Sequence, residues 1–284
     1  MFINYLIGVL VPMPATFVGA SWIHGGSVVG IFLFGVCIGS FLNCVIYRLE
    51  QNKKITGRSF CPHCKHKLSW LDLFPVFSFL LLGGKCRYCK KKISVQYPLV
   101  EISTGVLFVV IFWSLGLNWL IGMGIFGFAK LAFLFYIVSA LIVILVYDLK
   151  HYEIPDKVLF PAIGITIVFQ AITNSSQILN YLLAIFIGAG FFFTIFLISK
   201  GKWMGFGDVK LAILMGLLLG YPNILSALFV AFFLGAIIGV ILMLFKKKGL
   251  KSEIPFGPFL VLGTLLAHFF GNSLIQWYLN LFQI

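Results

Sequence analysis

The sequence predicts an all-α polytopic membrane protein of about eight transmembrane helices with a small zinc-binding cytoplasmic domain. Three observations lead there. Of 284 residues, 61% are hydrophobic and 10% charged, with a mean hydropathy of +1.08. No soluble domain of that size could hide so much apolar surface. The apolar residues form long continuous runs, whereas a membrane β-barrel would show short alternating segments. The polar residues concentrate in one block, residues 48–97, which holds four of the six cysteines.

Residues 1–26 are apolar, carry Pro12, Pro14 and His24, and lack a positive leading region, which argues against a cleaved signal peptide. Val28 to Tyr47 is a first span ending at Arg48, so residues 1–47 form an N-terminal segment plus one transmembrane helix. Residues 48–97 form a cytoplasmic insertion. Its apolar run Leu71–Leu82 contains Pro75 and is too short to span, so it is core or interfacial. Residues 98–284 form the main membrane domain. They contain apolar runs at 98–117, 121–147, 157–173, 178–199, 208–221, 223–245 and 258–282, of which 208–221 is the shortest. The 29 glycines and 32 phenylalanines suit helices packed closely in lipid.

The net charge of +13 is distributed as membrane topology requires. No Lys or Arg precedes Arg48, and eleven of the 21 fall between Arg48 and Lys92. With Arg48 inside, paired spans return to the inner face at Asp148–His151, Lys200–Lys202 and Lys246–Lys251, while the outer turn at 173–176 has no Lys or Arg. Lys130 alone falls deep inside a span. An anionic inner leaflet explains this charge without a nucleic-acid partner. The same map puts Asp148, at the end of the third span, and Asp208, at the start of the sixth, at one face of the inner membrane.

Cys61-Pro-His-Cys64 and Cys86-Arg-Tyr-Cys89 are two C-x-x-C pairs separated by 21 residues. Four cytoplasmic thiolates suit tetrahedral zinc, and a site closed by four sulfurs is structural. His63 and His66 are possible competitors, and the alternative is four unligated thiols in a basic loop. Cys37 and Cys44 lie in the first span as small packing residues.

Eight acidic residues serve the whole chain, so those at membrane edges invite explanation. Asp148 follows the apolar run Ile142–Tyr147. Asp208 lies in Gly205-Phe-Gly207-Asp208, where two glycines permit close approach before a helix starts. Asp156 follows Pro155 and suits a helix N-cap. All three could merely end or cap helices, but a carboxylate at a helix C-terminus faces the unfavourable end of the dipole, which singles out Asp148. If the two aspartates face each other, helix polarity makes Asp208 the ionised base that activates water. Asp148 is then the protonated acid that polarises the scissile carbonyl.

Taken together, these motifs resemble the bacterial type IV prepilin peptidases (prepilin leader peptidase and N-methyltransferase). Gly39-Ser-Phe-Leu-Asn-Cys-Val-Ile-Tyr-Arg48 is similar to the family's first-span signature, apart from Cys44 where a β-branched residue is more usual. Both cysteine pairs, Leu68-Ser-Trp-Leu-Asp72 and Ile93-Ser-Val-Gln-Tyr-Pro-Leu-Val-Glu101 resemble its cytoplasmic domain. Asp148 with Ile154-Pro155-Asp156, then Gly205-Phe-Gly207-Asp208 and Pro255-Phe-Gly-Pro258, resemble its membrane domain over a total coverage of about residues 28 to 260. The resemblance implies an aspartic endopeptidase of the Gly-x-Gly-Asp class. It would cut the basic leader of prepilins or pseudopilins after a glycine, with Asp148 and Asp208 as the catalytic pair and Pro155, Asp156, Gly205 and Gly207 in support. It also implies N-methylation of the new terminus from S-adenosylmethionine, associated with the cysteine domain. No Gly-rich dinucleotide fingerprint marks a methyl-donor site. Glu50, Glu101 and Glu153 are the acids available to hold a basic leader among lysine-rich loops. The alternative reading is an ion or proton channel or transporter with a zinc-stabilised module, disfavoured because the acids sit at one face and the two halves do not repeat.

Overall fold

The computed structural model describes residues 21–54, 56–245 and 254–281. The expectations for residues 1–20 and for the lysine cluster at 246–251 lie outside them. The described residues are helical apart from turns and two isolated β-bridges, Phe60 with Lys67 and Lys85 with Lys92. They divide into two compact units, one ending at Val143 and the other beginning at Ile144.

The first unit opens with α1 (Ser21–Glu50). After the cysteine block, which contains the short α2 (Phe77–Leu81), come α3 (Gln96–Leu115), α4 (Leu117–Gly122) and the start of α5 (Ile125–His151). Helices α1 and α3 lie backbone to backbone: a Cβ added at Gly39 would stand 2.6 Å from the Glu101 Cα, and one at Gly35 2.8 Å from the Gly105 Cα. Small residues are what allow that approach. Asn43 Nδ2 donates to the Tyr97 carbonyl at 3.0 Å across the same seam, and Phe108 stacks on Phe135 with centroids 3.9 Å apart. Cys44 is half-buried in α1, whereas Cys37 is exposed, so only Cys44 serves as a packing residue. A break at Gly116 and a second turn at Gly124 delay α5 to Ile125. Lys130 therefore stands near the start of its span, with its ammonium over the Trp119 ring at 5.2 Å, rather than deep inside it.

The second unit continues α5 to His151, then α6 (Asp156–Thr173), α7 (Ile178–Ser199), α8 (Phe206–Leu219), α9 (Asn223–Leu244) and α10 (Gly257–Leu281). Helix α8 is central and packs against α6, α7, α9 and α10. Its Leu211, Ala212, Leu214 and Met215 are wholly buried. A Cβ at Gly216 would meet the Ile185 backbone nitrogen at 2.7 Å, so α7 and α8 also touch through their backbones.

Among the described residues, seven helices are long and apolar enough to cross a membrane: Gly26–Glu50 of α1, α3, α5, α6, Ser175–Ser199 including α7, α9 and α10. The eighth membrane helix of the sequence map is α8. Its 14 residues span about 21 Å, short of a hydrocarbon core of about 30 Å. Surrounded by longer helices, α8 need not match the lipid.

Candidate active site and candidate metal centre

Asp148 lies in the last turn of α5 and is only 4% exposed. The Gly257 backbone N–H, at the first residue of α10, donates to its carboxylate. Pro258 follows in the first turn, where a missing N–H costs nothing. The approach is tight enough that a Cβ at Gly257 would stand 2.5 Å from Asp148 Oδ2.

Asp208 lies in the first turn of α8, 9% exposed, and the charge of Asp148 acts on it. Gly205 precedes the helix in an extended conformation (φ −74°, ψ 148°), and Asp208 N–H donates back to its carbonyl at 3.3 Å. The side chain of Ile154 reaches both glycines. It lies 3.2 Å from the Cβ position of Gly207 and 3.5 Å from that of Gly257. The loop between α5 and α6 thereby packs against the start of α8, which carries Asp208, and the start of α10, whose first N–H holds Asp148. Gly205 has only the backbone nitrogen of Gly207 near its Cβ position, at 3.9 Å, so packing does not require a glycine there.

Two sequence expectations change. Asp148 ends α5 but also faces the N-terminal N–H of α10, while Asp208 sits in the N-terminal turn of α8. Each aspartate thus has the favourable end of a helix beside it, and polarity does not divide acid from base. Asp156 is the first residue of α6 rather than its cap. Pro155 occupies the cap position without a side-chain bond, and the Asp156 carboxylate instead pairs with Lys210 of α8. Lys210 comes two residues after Asp208, so this pair ties the start of α6 to the helix carrying the second aspartate. The contacts of Ile154 and Gly257 are beyond a reading by residue type. The only sequence signal for Gly257 is a glycine held between prolines at a helix start.

In the cysteine block, the Sγ atoms of Cys61, Cys64, Cys86 and Cys89 all lie within 4.8 Å of one another, an arrangement able to hold a metal ion. Cys61 and Cys89 sulfurs are 3.9 Å apart. A tetrahedron with metal–sulfur bonds of about 2.3 Å has edges of about 3.8 Å, so the sulfurs fit it. The two halves are built alike. Cys61 N–H donates to the His66 carbonyl and Lys65 N–H returns to Cys61; Cys86 N–H donates to Lys91 and Lys90 N–H returns to Cys86. Lys65 (φ 59°) and Lys90 (φ 58°) turn each loop back through the left-handed region. His66 lies against Tyr88, with ring centroids 3.7 Å apart, and neither it nor His63 belongs to the sulfur cluster. Burial opposes charge on Cys61, but backbone N–H groups of Cys64 and His63 and the neighbouring thiols lower it to about 7. For Cys89 the Lys91 N–H favours the thiolate, yet burial and the other three sulfurs push it up to about 11. A bound cation would favour the Cys89 thiolate against the crowding of sulfurs that opposes it.

Three further polar groups shape this block. Arg48, the end of the first span and of the signature that begins at Gly39, is buried and donates to the carbonyl of Gly57 at 2.6 Å. Glu101, within α3, accepts from the Val76 N–H at 2.7 Å. Asp72 accepts from Ser69 N–H (3.1 Å) and Oγ (2.9 Å), Arg87 Nε (2.6 Å) and Tyr88 Oη (3.3 Å), joining the Trp70–Leu73 turn to the second cysteine loop. Burial works against the Asp72 charge, but Arg87 and Ser69 outweigh it and hold the carboxyl below its ordinary value. A lowered carboxyl stabilises the fold above the ordinary carboxylate range, and that contribution is lost as pH falls through its own titration. Asp72→Asn is therefore expected to weaken the block by about 1–2 kcal/mol near neutrality, with wild type and variant converging in acid. Limited proteolysis between residues 48 and 95 against pH measures this.

The sequence matches the bacterial peptidase A24 N-terminal domain over residues 33–115 and the type IV leader peptidase family over residues 135–240. A prepilin leader peptidase/N-methyltransferase of Aeromonas salmonicida (strain A449) is 30% identical, covering 92% of this chain and 96% of that protein. The chain belongs to the type IV leader peptidase family. Proteins of the same name from Legionella pneumophila (32% identical, 87% of this chain and 93% of the relative) and Bacillus subtilis (strain 168) (30%, 88% and 97%) agree. No solved structure shows a significant match. The channel or transporter alternative finds no support among these peptidase relatives. Within the family's membrane match lie Asp148, Ile154, Asp156 and Asp208, and within its N-terminal match lie all four clustered cysteines.

Proposed function

We propose that this multi-pass membrane protein cleaves the basic leader of type IV prepilins or pseudopilins after a glycine at the cytoplasmic face of the inner membrane, and N-methylates the new terminus. The observation that carries the peptidase half is the buried, electrostatically interacting pair of Asp148 and Asp208 in a member of the type IV leader peptidase family. In the proposed reaction one carboxylate takes a proton from water as the oxygen adds to the scissile carbonyl carbon. The other, protonated, gives its proton to the carbonyl oxygen. The tetrahedral gem-diol then collapses: one carboxyl gives its proton to the amine as the C–N bond breaks, and the other carboxylate takes the proton of a diol hydroxyl as the C=O re-forms, which restores the pair with its one proton. Two buried carboxylates beside each other hold one proton between them, so no strongly basic group is needed. Pro155 and Asp156 support the pair through the Ile154 contacts and the Lys210 bridge, with Gly205 and Gly207 beside Asp208.

The test is incubation of purified enzyme with a prepilin. A product beginning at the residue after the leader glycine supports the proposal, and an intact substrate with folded enzyme overturns it.

Zinc is the cation proposed for the four-cysteine cluster. Cys61, Cys64, Cys86 and Cys89 would hold it and leave no open position, so its contribution is folding of residues 48–97, not chemistry. Cys86→Ser is expected to abolish stoichiometric zinc, measured by elemental analysis, and to abolish methylation while sparing cleavage. The methyl group is proposed to come from S-adenosylmethionine, with no donor-binding residues assigned.

A further inference from the structure

The Trp70–Leu82 stretch carries a surface that cleavage and methylation leave without a use. Neither the Trp70–Leu73 turn nor α2 has a buried residue. Trp70 is 73% exposed, Leu80 66% and Leu81 85%, and Leu73, Phe74 and Phe77 are exposed with them. In water such a cluster would be a liability. Its position removes it from water. The Val76 N–H is held by the Glu101 carboxylate at 2.7 Å, and Glu101 stands five residues inside the membrane-crossing helix α3. Five residues of helix amount to about 7.5 Å. The tip of the stretch is therefore fixed below the level at which α3 starts.

Val76 itself shows the cost of that fixing. It has φ 61° and ψ −51°, a conformation that a β-branched residue adopts only when its surroundings hold it there. The same block is strongly basic, as attraction to an anionic membrane surface requires. Lys85, Lys90, Lys91 and Lys92 are exposed, and between Arg48 and Lys92 there are eleven basic residues against only Glu50 and Asp72. Exposed aromatic and aliphatic side chains in a lysine-rich block are the composition of an interfacial anchor in an anionic leaflet.

We infer that Trp70–Leu82 is a membrane-embedded anchor, with Glu101 as its tether and anionic phospholipid as its occupant. It holds the four-cysteine domain down on the bilayer. The inference does not depend on the proposed peptidase chemistry. The experiment uses the full chain in nanodiscs of phosphatidylethanolamine and phosphatidylglycerol, some with acyl chains brominated near the headgroup. The emission of wild type minus that of Trp70→Phe isolates Trp70. It is expected to be blue-shifted, quenched by the bromolipid and protected from aqueous iodide. Glu101→Leu, which removes the acceptor of the Val76 N–H, is expected to reduce the bromolipid quenching. Quenching of Trp70 by iodide and not by bromolipid would overturn the inference, as would protection from both, since protein would then cover the face. A photoreactive benzoylphenylalanine at Leu81 reads the same surface without altering Trp70. Lipid adducts are expected; a cross-link to a second copy or to substrate overturns the anchor.

Discussion

Asp148→Asn and Asp208→Asn are each expected to lower prepilin cleavage by roughly a thousandfold or more, with the double variant little worse than either single one. The reason is the division of labour across two carboxyls that share a proton. An amide can neither take a proton from water nor give one to the carbonyl oxygen at neutral pH, so loss of either member removes the whole proton circuit. Residues acting as one unit are strongly non-additive for that reason. Both side chains are buried, at 4% and 9% exposure, and asparagine keeps their volume, so folding should survive. Zinc content and melting temperature serve as controls, and turnover of a defined prepilin is the readout. Wild-type cleavage should also fall on both the acid and the alkaline side, because the working pair carries one proton. Independent, multiplicative losses in the two single variants would refute the shared-proton pair, and full activity in either would remove that residue from the mechanism.

Gly257→Ala is expected to lower the cleavage rate by roughly a hundredfold, with the prepilin KM nearly unchanged, through displacement of Asp148. The added methyl group would meet Oδ2 at 2.5 Å, well inside van der Waals contact, and the Gly257 N–H that orients the carboxylate would move with it. Gly257 acts through its contact with Asp148, so it is a positioning residue. A split between rate and KM separates it from a loss of substrate binding. Gly205→Ala provides the contrast. Its backbone is extended and only the Gly207 nitrogen stands near its Cβ position, at 3.9 Å, so alanine fits the free enzyme. If Gly205→Ala also loses cleavage, the cause is crowding of the substrate. Wild-type turnover in Gly257→Ala would mean that Asp148 needs no such restraint.

What could be read from the sequence followed from terms that act residue by residue. Apolar run lengths marked the membrane helices, because each backbone crossing lipid must satisfy its own hydrogen bonds over a set distance. Cysteine spacing brought four sulfurs to one place, because a short C-x-x-C loop can turn both thiols toward one point. Charge bias led to the expectation that Asp148 and Asp208 share one membrane face. The rest was set by contacts between segments far apart in sequence. The short α8 became the centre of the second unit because four longer helices shield it from lipid. Asp156 passed from cap to ion-pair partner because Lys210 of α8 comes within reach. Helix polarity does not separate Asp148 from Asp208, because α10, beginning more than a hundred residues later, aims its first N–H at the Asp148 carboxylate. Local sequence reports what a residue prefers by itself. Which neighbour answers that preference is decided by packing, and packing is where Gly257, Ile154 and the Glu101 tether became visible.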